Sequence, residues 1–377
     1  MTLPRSEAEL AETIRDADGP LHIRGGGTRP IGNPVEGDPL EVSAISGISL
    51  YDPGALTMVA KAGTPLAEIE AALAAEGQHL AFEPVDYRPL LGTEGETTIG
   101  GVVAGNVSGS RRVRVGACGD FMLGVRFVDG RGDIVRNGGR AMKNVTGYDL
   151  VKLMTGSRGT LGVLTEATFK VLPKPETEAS LTIHGLTAAN AAAAMSRALG
   201  SPYEVTGAAH IPDPPGGRPT TFIRVEGFED SVAYRLRRLR DELADFGEMA
   251  DRSDPVKAGQ QWHAIGTVEG FRDDGNDIWR ISAIPSKGPE IATRMPEGTA
   301  VAFDWGGGLI WASCAPGTDL RTHLAPFTGH ATLIRAGDET RRKLDVFHPE
   351  PAPLARIAAD LRAQFDPRGI LNPGLMG

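Results

Sequence analysis

Ile23-Arg24-Gly25-Gly26-Gly27-Thr28 is the stretch on which the fold turns. Leu21–Arg24 reads as a strand, and it runs directly into three glycines with no helical periodicity behind them. A dinucleotide turn of the doubly wound α/β kind must launch a helix from its glycines, so that architecture is set aside. What remains is a strand leading into backbone without side chains. There successive N–H groups can converge on an anion, and the Thr28 hydroxyl can add a donor. Such a turn is more often structural than functional, so it needs a partner elsewhere.

Working outward, the partner is Thr97-Thr98-Ile99-Gly100-Gly101-Val102-Val103-Ala104-Gly105-Asn106-Val107-Ser108-Gly109. A close-packed helix explains its small residues but not its Thr, Asn and Ser, which offer donors on a backbone of little bulk. A third polar, glycine-bearing run extends from Lys143-Asn144-Val145-Thr146-Gly147-Tyr148-Asp149-Leu150 to Gly159-Thr160-Leu161-Gly162-Val163-Leu164-Thr165-Glu166. Three such regions over about 140 residues make sense together, lining one extended ligand. Composition agrees: 49 glycines in 377 residues is about 13 %, against ~7 % in ordinary chains.

The other bulk properties narrow the class. A formal net charge of −9 makes nucleic acid and anionic membrane surfaces poor partners. Cys118 and Cys314 alone give neither a disulfide framework nor metal-ligand spacing, and they fit a reducing cytoplasm. No signal peptide or membrane-spanning apolar run is expected. Asn106-Val-Ser108 and Asn144-Val-Thr146 match the glycosylation sequon by chance in such a chain.

Local signals divide the molecule. Ser6–Glu9 is a capping box for a first helix. Thr64, Pro65 and Gly77 bracket another, and Asp129–Gly132 turns a hairpin. Leu161–Leu172 is a strand, after which Pro173-Lys174-Pro175 breaks the chain and marks a domain boundary. Beyond it, Thr187–Gly200 and Ser231–Phe246 read as helices, the second with a solvated charged face, and Thr221–Glu226 as a strand. That pattern implies a sheet with helices on one side. Ala208–Pro219 reads as an exposed loop or linker, Pro353–Phe365 as a helix and Asp366–Gly374 as a turn-rich tail.

The order Arg-Gly-Gly-Gly-Thr, Thr-Ile-Gly-Gly, Gly-Tyr-Asp-Leu, Gly-Thr-Leu-Gly-Val-Leu-Thr-Glu, with Phe365–Gly374 at the end, resembles the FAD-linked oxidases of the vanillyl-alcohol oxidase (PCMH) type. Within them, Trp279-Arg280-Ile281-Ser282 and Asp304-Trp305-Gly306-Gly307-Gly308-Leu309-Ile310-Trp311 are most similar to the FAD-binding subunits of bacterial glycolate oxidases. The resemblance implies an α+β fold: a two-subdomain FAD domain over 1–173, an inserted α/β cap over 174–345, and a segment, 346–377, returning to the FAD domain. It implies cofactor contacts from Arg24, Gly25, Gly26, Gly27, Thr28, Pro84, Thr98, Ile99, Gly100, Gly101, Ala104, Asn106, Ser108, Gly109, Gly159, Gly162, Val163 and Asn372. Some members tether flavin through a histidine where this chain has Thr28, so non-covalent FAD is expected.

The implied reaction is hydride transfer from the α-carbon of a small 2-hydroxy acid, glycolate foremost, to flavin N5. It calls for a cation on the carboxylate and a base at the hydroxyl. Arg280 is the first choice for the cation and Arg335 the second, while His348 is the histidine to test as base. The closely spaced histidines with a carboxylate that hold a divalent metal in related 2-hydroxy-acid dehydrogenases are missing, so no metal is expected. Expected partners are a related catalytic flavoprotein and an iron–sulfur subunit, in the cytoplasm or peripheral to the inner membrane through them. The alternatives are an FAD-holding assembly or electron-transfer subunit, or a stand-alone flavoenzyme such as a relative of UDP-N-acetylmuramate reductase.

Overall fold

The computed structural model describes residues 2–140, 147–214 and 217–377. Ser6 Oγ accepts from Glu9 N at 3.2 Å and starts a helix over Glu7–Arg15, which buries Leu10, Ala11 and Ile14. β1 (Leu21–Arg24) and β2 (Asp38–Glu41) pair in parallel beside it. These elements share a small core with Ile370 and Leu371, so the two ends of the chain fold as one unit.

Next come β3 (Ile48–Asp52), β4 (Thr57–Lys61), the two-residue β5 (Gln78–His79), β6 (Met122–Val128), β7 (Ile134–Gly138) and β8 (Val163–Lys170). Five of them form an antiparallel sheet in the order β3-β4-β8-β6-β7. Thr64 does not cap the helix after β4. Its Oγ1 donates to Lys61 O at 2.7 Å and accepts from Gly47 N at 2.9 Å, while Pro65 takes the capping position of helix Leu66–Ala75. β9 (Leu172–Pro173) pairs back onto β5.

The chain then enters a second sheet. β10 (Thr177–His184), β11 (Gly207–Ile211), β12 (Thr220–Gly227), β13 (Met249–Arg252), β14 (Asp277–Ala283), β15 (Ala300–Asp304), β16 (Leu309–Cys314) and β17 (Gly329–Arg335) make it. Its order is β13-β10-β12-β11-β15-β16-β14-β17. Two expectations change here. Ala208–Ile211 belongs to interior strand β11, where Ala208, Ala209 and His210 are fully buried, and is not part of a loop. Nor do the helices keep to one side. Leu181, Ile183, Ile223 and Val225 pack against helices Ala188–Gly200 and Glu229–Glu242. The alternate residues Ser180 and Arg224 meet Trp262 of helix Pro255–Gly266 on the opposite face. Helix Glu229–Glu242 is not solvated all along its charged face either, because Arg235 is buried and donates to Glu226 O at 2.7 Å.

The two sheets are welded rather than tethered. Trp279 and Trp311 of the larger sheet share one core with Met58, Phe82 and Phe127 beneath the smaller. Beside it, Arg224 reaches Glu83 at 2.8 Å, and Arg111 reaches Glu226 at 2.6 Å and Glu83 at 3.0 Å. Glu83 and Arg111 come from the part of the chain before Pro173, Arg224 and Glu226 from strand β12 of the larger sheet. The tail closes the fold: Leu21 N donates to Ile370 O at 2.7 Å and Asn372 N to Leu21 O at 3.0 Å. No helix among the described residues is long and apolar enough to cross a membrane.

Candidate functional site

The loop after β1 lies against Glu96–Thr98 so closely that no side chain fits between them. A Cβ on Gly26 would sit 1.8 Å from Glu96 O, and one on Gly25 would sit 2.4 Å from Thr98 Oγ1. Thr28 is held from the same side, its Oγ1 accepting from Thr97 Oγ1 at 3.2 Å and its O from Thr93 Oγ1 at 2.9 Å. Thr98 in turn caps helix Ile99–Ala104 by accepting from Gly101 N at 3.3 Å. The glycine turn therefore touches the start of the second glycine-bearing run, and both face a cavity of about 640 Å³. That volume falls in the ~300–1,000 Å³ range of ligand sites.

Three non-glycine residues on this cavity have left-handed backbone: Asn106 (φ 47°), Arg158 (φ 53°) and Asn372 (φ 44°). Each costs on the order of 1–2 kcal/mol, strain that typically gathers at functional sites. The two asparagine side chains hold these turns in place, with Ser108 beside the first. Asn106 Oδ1 accepts from Gly119 N at 3.0 Å, and Ser108 Oγ accepts from Cys118 N at 2.9 Å. Asn372 Oδ1 accepts from Ile23 N at 2.7 Å while its Nδ2 donates to Arg158 O at 2.9 Å. One tail residue thus fixes both the strand that feeds the glycine turn and the loop that presents Arg158.

At the far end β14 and β17 contribute Arg280, His330 and Thr332, with Arg280 directly opposite Thr332. Here cations outnumber anions. Among the described residues, seven arginines line the cavity (Arg24, Arg29, Arg112, Arg158, Arg280, Arg341 and Arg342) against one carboxylate, Asp338. Arg24 faces Glu41 at 3.8 Å. Arg112 and Arg280 both lie on the Trp305 ring, 4.6 and 4.9 Å from its centroid, and Arg158 lies 4.8 Å from that of Phe347. Among the described residues none of these three forms an ion pair with a carboxylate. Burial, then Arg280 and Arg29, bring Arg158 down to about 10. Burial lowers Arg29 as well, and its Nε is buried without a hydrogen-bond partner. His330 is held below its ordinary value by burial and then by Arg280, so it is neutral at pH 7. Buried guanidiniums gathered on one cavity suit an anionic ligand.

The cavity gathers most of the expected contact residues: Arg24, Gly25, Gly26, Gly27, Thr28, Thr98, Gly100, Gly101, Ala104, Asn106, Ser108, Gly159, Gly162, Val163, Asn372 and Arg280. It does not include Ile99, which is fully buried in the core, or Pro84 and Gly109, which line a second cavity of about 580 Å³. Arg335 is turned away from it. Its guanidinium donates to the carbonyls of Asn276, Leu90 and Arg272 and pairs with Asp274. His348 also lies off the cavity, its Nδ1 accepting from Ala331 N at 3.3 Å and its ring standing edge-on to Phe327. Lys143–Thr146 fall outside the described residues. Cys118 is buried off the cavity with its thiol pushed up to about 12. Among the described residues no cluster of His, Cys, Asp or Glu could hold a metal.

Sequence reasoning passes over Arg29, Arg112, Arg158, Tyr87 and His330. A signal exists for two of them: Arg29 comes directly after the glycine turn, and Arg158 stands inside the third glycine-bearing run.

The site fits FAD on its own terms, since it combines bare backbone along two touching glycine runs with an arginine-rich wall for an anionic nucleotide. Comparison with known proteins leads to the same place. The FAD binding domain family matches residues 1–138. The chain is 37 % identical to the glycolate oxidase subunit GlcE of Escherichia coli over 360 residues, covering 95 % of this chain and 92 % of that protein. It is 31 % identical to an uncharacterized FAD-linked oxidoreductase of Mycobacterium tuberculosis, covering 99 % and 89 %. Similarity to the glycolate oxidase subunit GlcD of Bacillus subtilis, 47 %, is confined to 85 residues, 22 % of this chain and 18 % of that one. Among solved structures, alkyldihydroxyacetonephosphate synthase shares the fold with a TM-score of 0.70 at 16 % identity, over 98 % of this chain and 76 % of that one. The 4-ethylphenol oxidase of Gulosibacter chungangensis does so with a TM-score of 0.69 at 14 % identity, over 100 % and 88 %. With an α+β fold of this type and a full-length relative above one-third identity, the chain belongs to the PCMH-type FAD-binding oxidoreductases, in the family of the bacterial glycolate oxidase subunit GlcE.

Proposed function

We propose that this chain is the FAD-holding, electron-transferring subunit of a glycolate-oxidase-type complex, and that oxidation of the 2-hydroxy acid takes place on a partner flavoprotein. The observation that carries this reading is the make-up of the cavity, which is rich in arginine and poor in groups that could take a proton. Similarity to GlcE runs the length of the chain, whereas similarity to GlcD is short, which supports a role distinct from that of a GlcD-like subunit. The sheet change between Lys170 and Thr177 supports treating 1–173 as the FAD domain, 174–345 as the cap and 346–377 as the returning segment.

FAD, when bound, supplies two-electron chemistry that side chains lack. Gly25–Thr28 and Thr98–Gly101 would hold its pyrophosphate, with Arg29 and Arg158 balancing the charge. Asn372 fixes the loop that carries Arg158 and Gly159. Thr28 offers no imidazole for a flavin tether, which supports a non-covalent cofactor. The chain has two cysteines, Cys118 and Cys314, too few for a four-cysteine cluster, so electrons pass to another subunit. That requirement, with the word subunit in the names of its relatives, supports a partner flavoprotein and an iron–sulfur protein. Their location in the cytoplasm belongs to the same proposal.

One observation favours a second reading. His330, neutral and beside Arg280, is placed as a base next to a carboxylate anchor would be. An anaerobic titration separates the two. The isolated yellow chain should keep its flavin absorbance with glycolate or D-lactate and lose it only once the partner is added. Bleaching of the isolated chain would instead support oxidation in this cavity, with Arg280 and His330 in the active roles.

A further inference from the structure

Trp305 is held at the junction of the two sheets through both its backbone and its ring. Its backbone is left-handed (φ 52°), and its N donates to Asp304 Oδ1 at 2.6 Å. Its Nε1 donates across the domain junction to Gly109 O at 3.1 Å, and Ser110 Oγ donates to Asp304 Oδ2 at 2.6 Å. The ring so fixed carries Arg112 from the FAD domain and Arg280 from the cap. Two guanidiniums of like charge are thereby held in place where repulsion would part them. Because both lie on one ring, their centres are at most about 10 Å apart. Arg158, parked on Phe347, faces the same end of the cavity.

Charge balance sets the class of ligand that fits them. Arg24 has Glu41, Arg341 has Asp338 close by, and the two negative charges of a pyrophosphate would offset Arg29 and one neighbour. A positive excess remains at the Trp305 end. A flat guanidinium fork pairs best with a carboxylate, bidentately, and forks supplied by two separate elements suit two carboxylates joined by a short spacer.

We propose that Arg112 and Arg280, seated on Trp305, form with Arg158 a binding site for a small dicarboxylate dianion at the His330 end of the cavity. This rests on FAD occupying the cavity.

The test is titration of the FAD-loaded protein, at constant ionic strength, with oxalate, malonate, acetate, glycolate and inorganic phosphate. It is read as a flavin difference spectrum and, in parallel, by calorimetry. Oxalate or malonate should bind at least tenfold more tightly than acetate, glycolate or phosphate. Arg112→Gln and Arg280→Gln should each weaken the dicarboxylate tenfold or more while changing acetate by less than threefold, affinities being compared per FAD-loaded chain. Trp305→Phe, which keeps the platform, should retain most of the preference. Equal affinities for mono- and dicarboxylates, phosphate binding best, or no binding by either readout on yellow protein would overturn the proposal and leave the FAD reading standing. A colourless preparation would sink both.

Discussion

Replacing Gly26 by alanine puts a methyl where there is no room for one. Its Cβ would stand 1.8 Å from Glu96 O, so the loop must retreat by roughly 1.5 Å or more to reach an ordinary contact. The neighbour is backbone, held in the segment that also presents Thr97 and Thr98, and cannot swing aside. Overpacking typically costs ~1–3 kcal/mol, and a clash with fixed backbone belongs at the upper end. If that strain is relieved by moving the loop out of its binding position, FAD affinity should fall on the order of 100-fold. Gly27 is the control next door: with φ 71° and nothing within 4 Å of its Cβ, Gly27→Ala meets only backbone strain of ~1–2 kcal/mol. We expect Gly26→Ala to purify nearly colourless and Gly27→Ala to stay yellow, with affinity down about tenfold. The assay is the ratio of flavin to protein absorbance, then fluorescence-quenching titration of the apoprotein, with far-UV circular dichroism confirming that both variants fold. Equal retention of FAD by the two, or the reverse order, would refute the reasoning that Glu96 and the glycine turn form one wall of the site.

Two further outcomes concern the junction between the sheets. Glu226→Gln leaves Arg224, 1 % exposed, with a weakened counter-charge, and breaking such buried networks costs ~3–5 kcal/mol, readable as a lower denaturation midpoint in urea. Burial alone would raise the Glu226 carboxyl, but Arg224 and Arg111 more than reverse it, to about 2. Its contribution is therefore present above the unfolded value near 4.5 and is lost as pH falls toward 2. Asp304 runs the other way. Burial lifts it from 3.8 to about 6 despite its bonds from Ser110 and Trp305 N. The folded state holds this proton more tightly, so stability declines as pH rises from about 4 to about 6, by up to ~3 kcal/mol. Asp304→Asn should flatten that slope and be no less stable than the parent at pH 7, as measured by urea unfolding across the pH range. A steeper slope in the variant would contradict the assignment.

Sequence signals here are local. The missing helix after Gly27 excludes a doubly wound fold because a turn and the element it would launch are neighbours in the chain. The strand expected over Leu161–Leu172 is found as Val163–Lys170 for the same reason, whereas Pro173, expected to break the chain, pairs with Gln78 in a short strand. The returning tail, with Asn372 bonded to Ile23 N, is legible through family resemblance and not through periodicity, since nothing in the tail announces its partner 349 residues away. Arg335 shows where local signals stop. By residue type it is as good a carboxylate anchor as Arg280, but which face each presents depends on the β14–β17 register, and a bulge lies between Ile278 and Trp279. Arg280 ends opposite Thr332 on the cavity, while Arg335 sits opposite Ile278 with its guanidinium spent on carbonyls. Arg112 and Arg280 meet on Trp305 only once the two sheets dock, a tertiary event without a local signature.

The most direct measurement is of the flavin itself. Freshly purified protein, precipitated with acid, should leave a white pellet and release one FAD per chain into the supernatant. A preparation that stays colourless after reconstitution, or a pellet that keeps its yellow, would contradict a non-covalent cradle assembled from the glycine turn, the Thr98–Gly101 run and the returning Asn372.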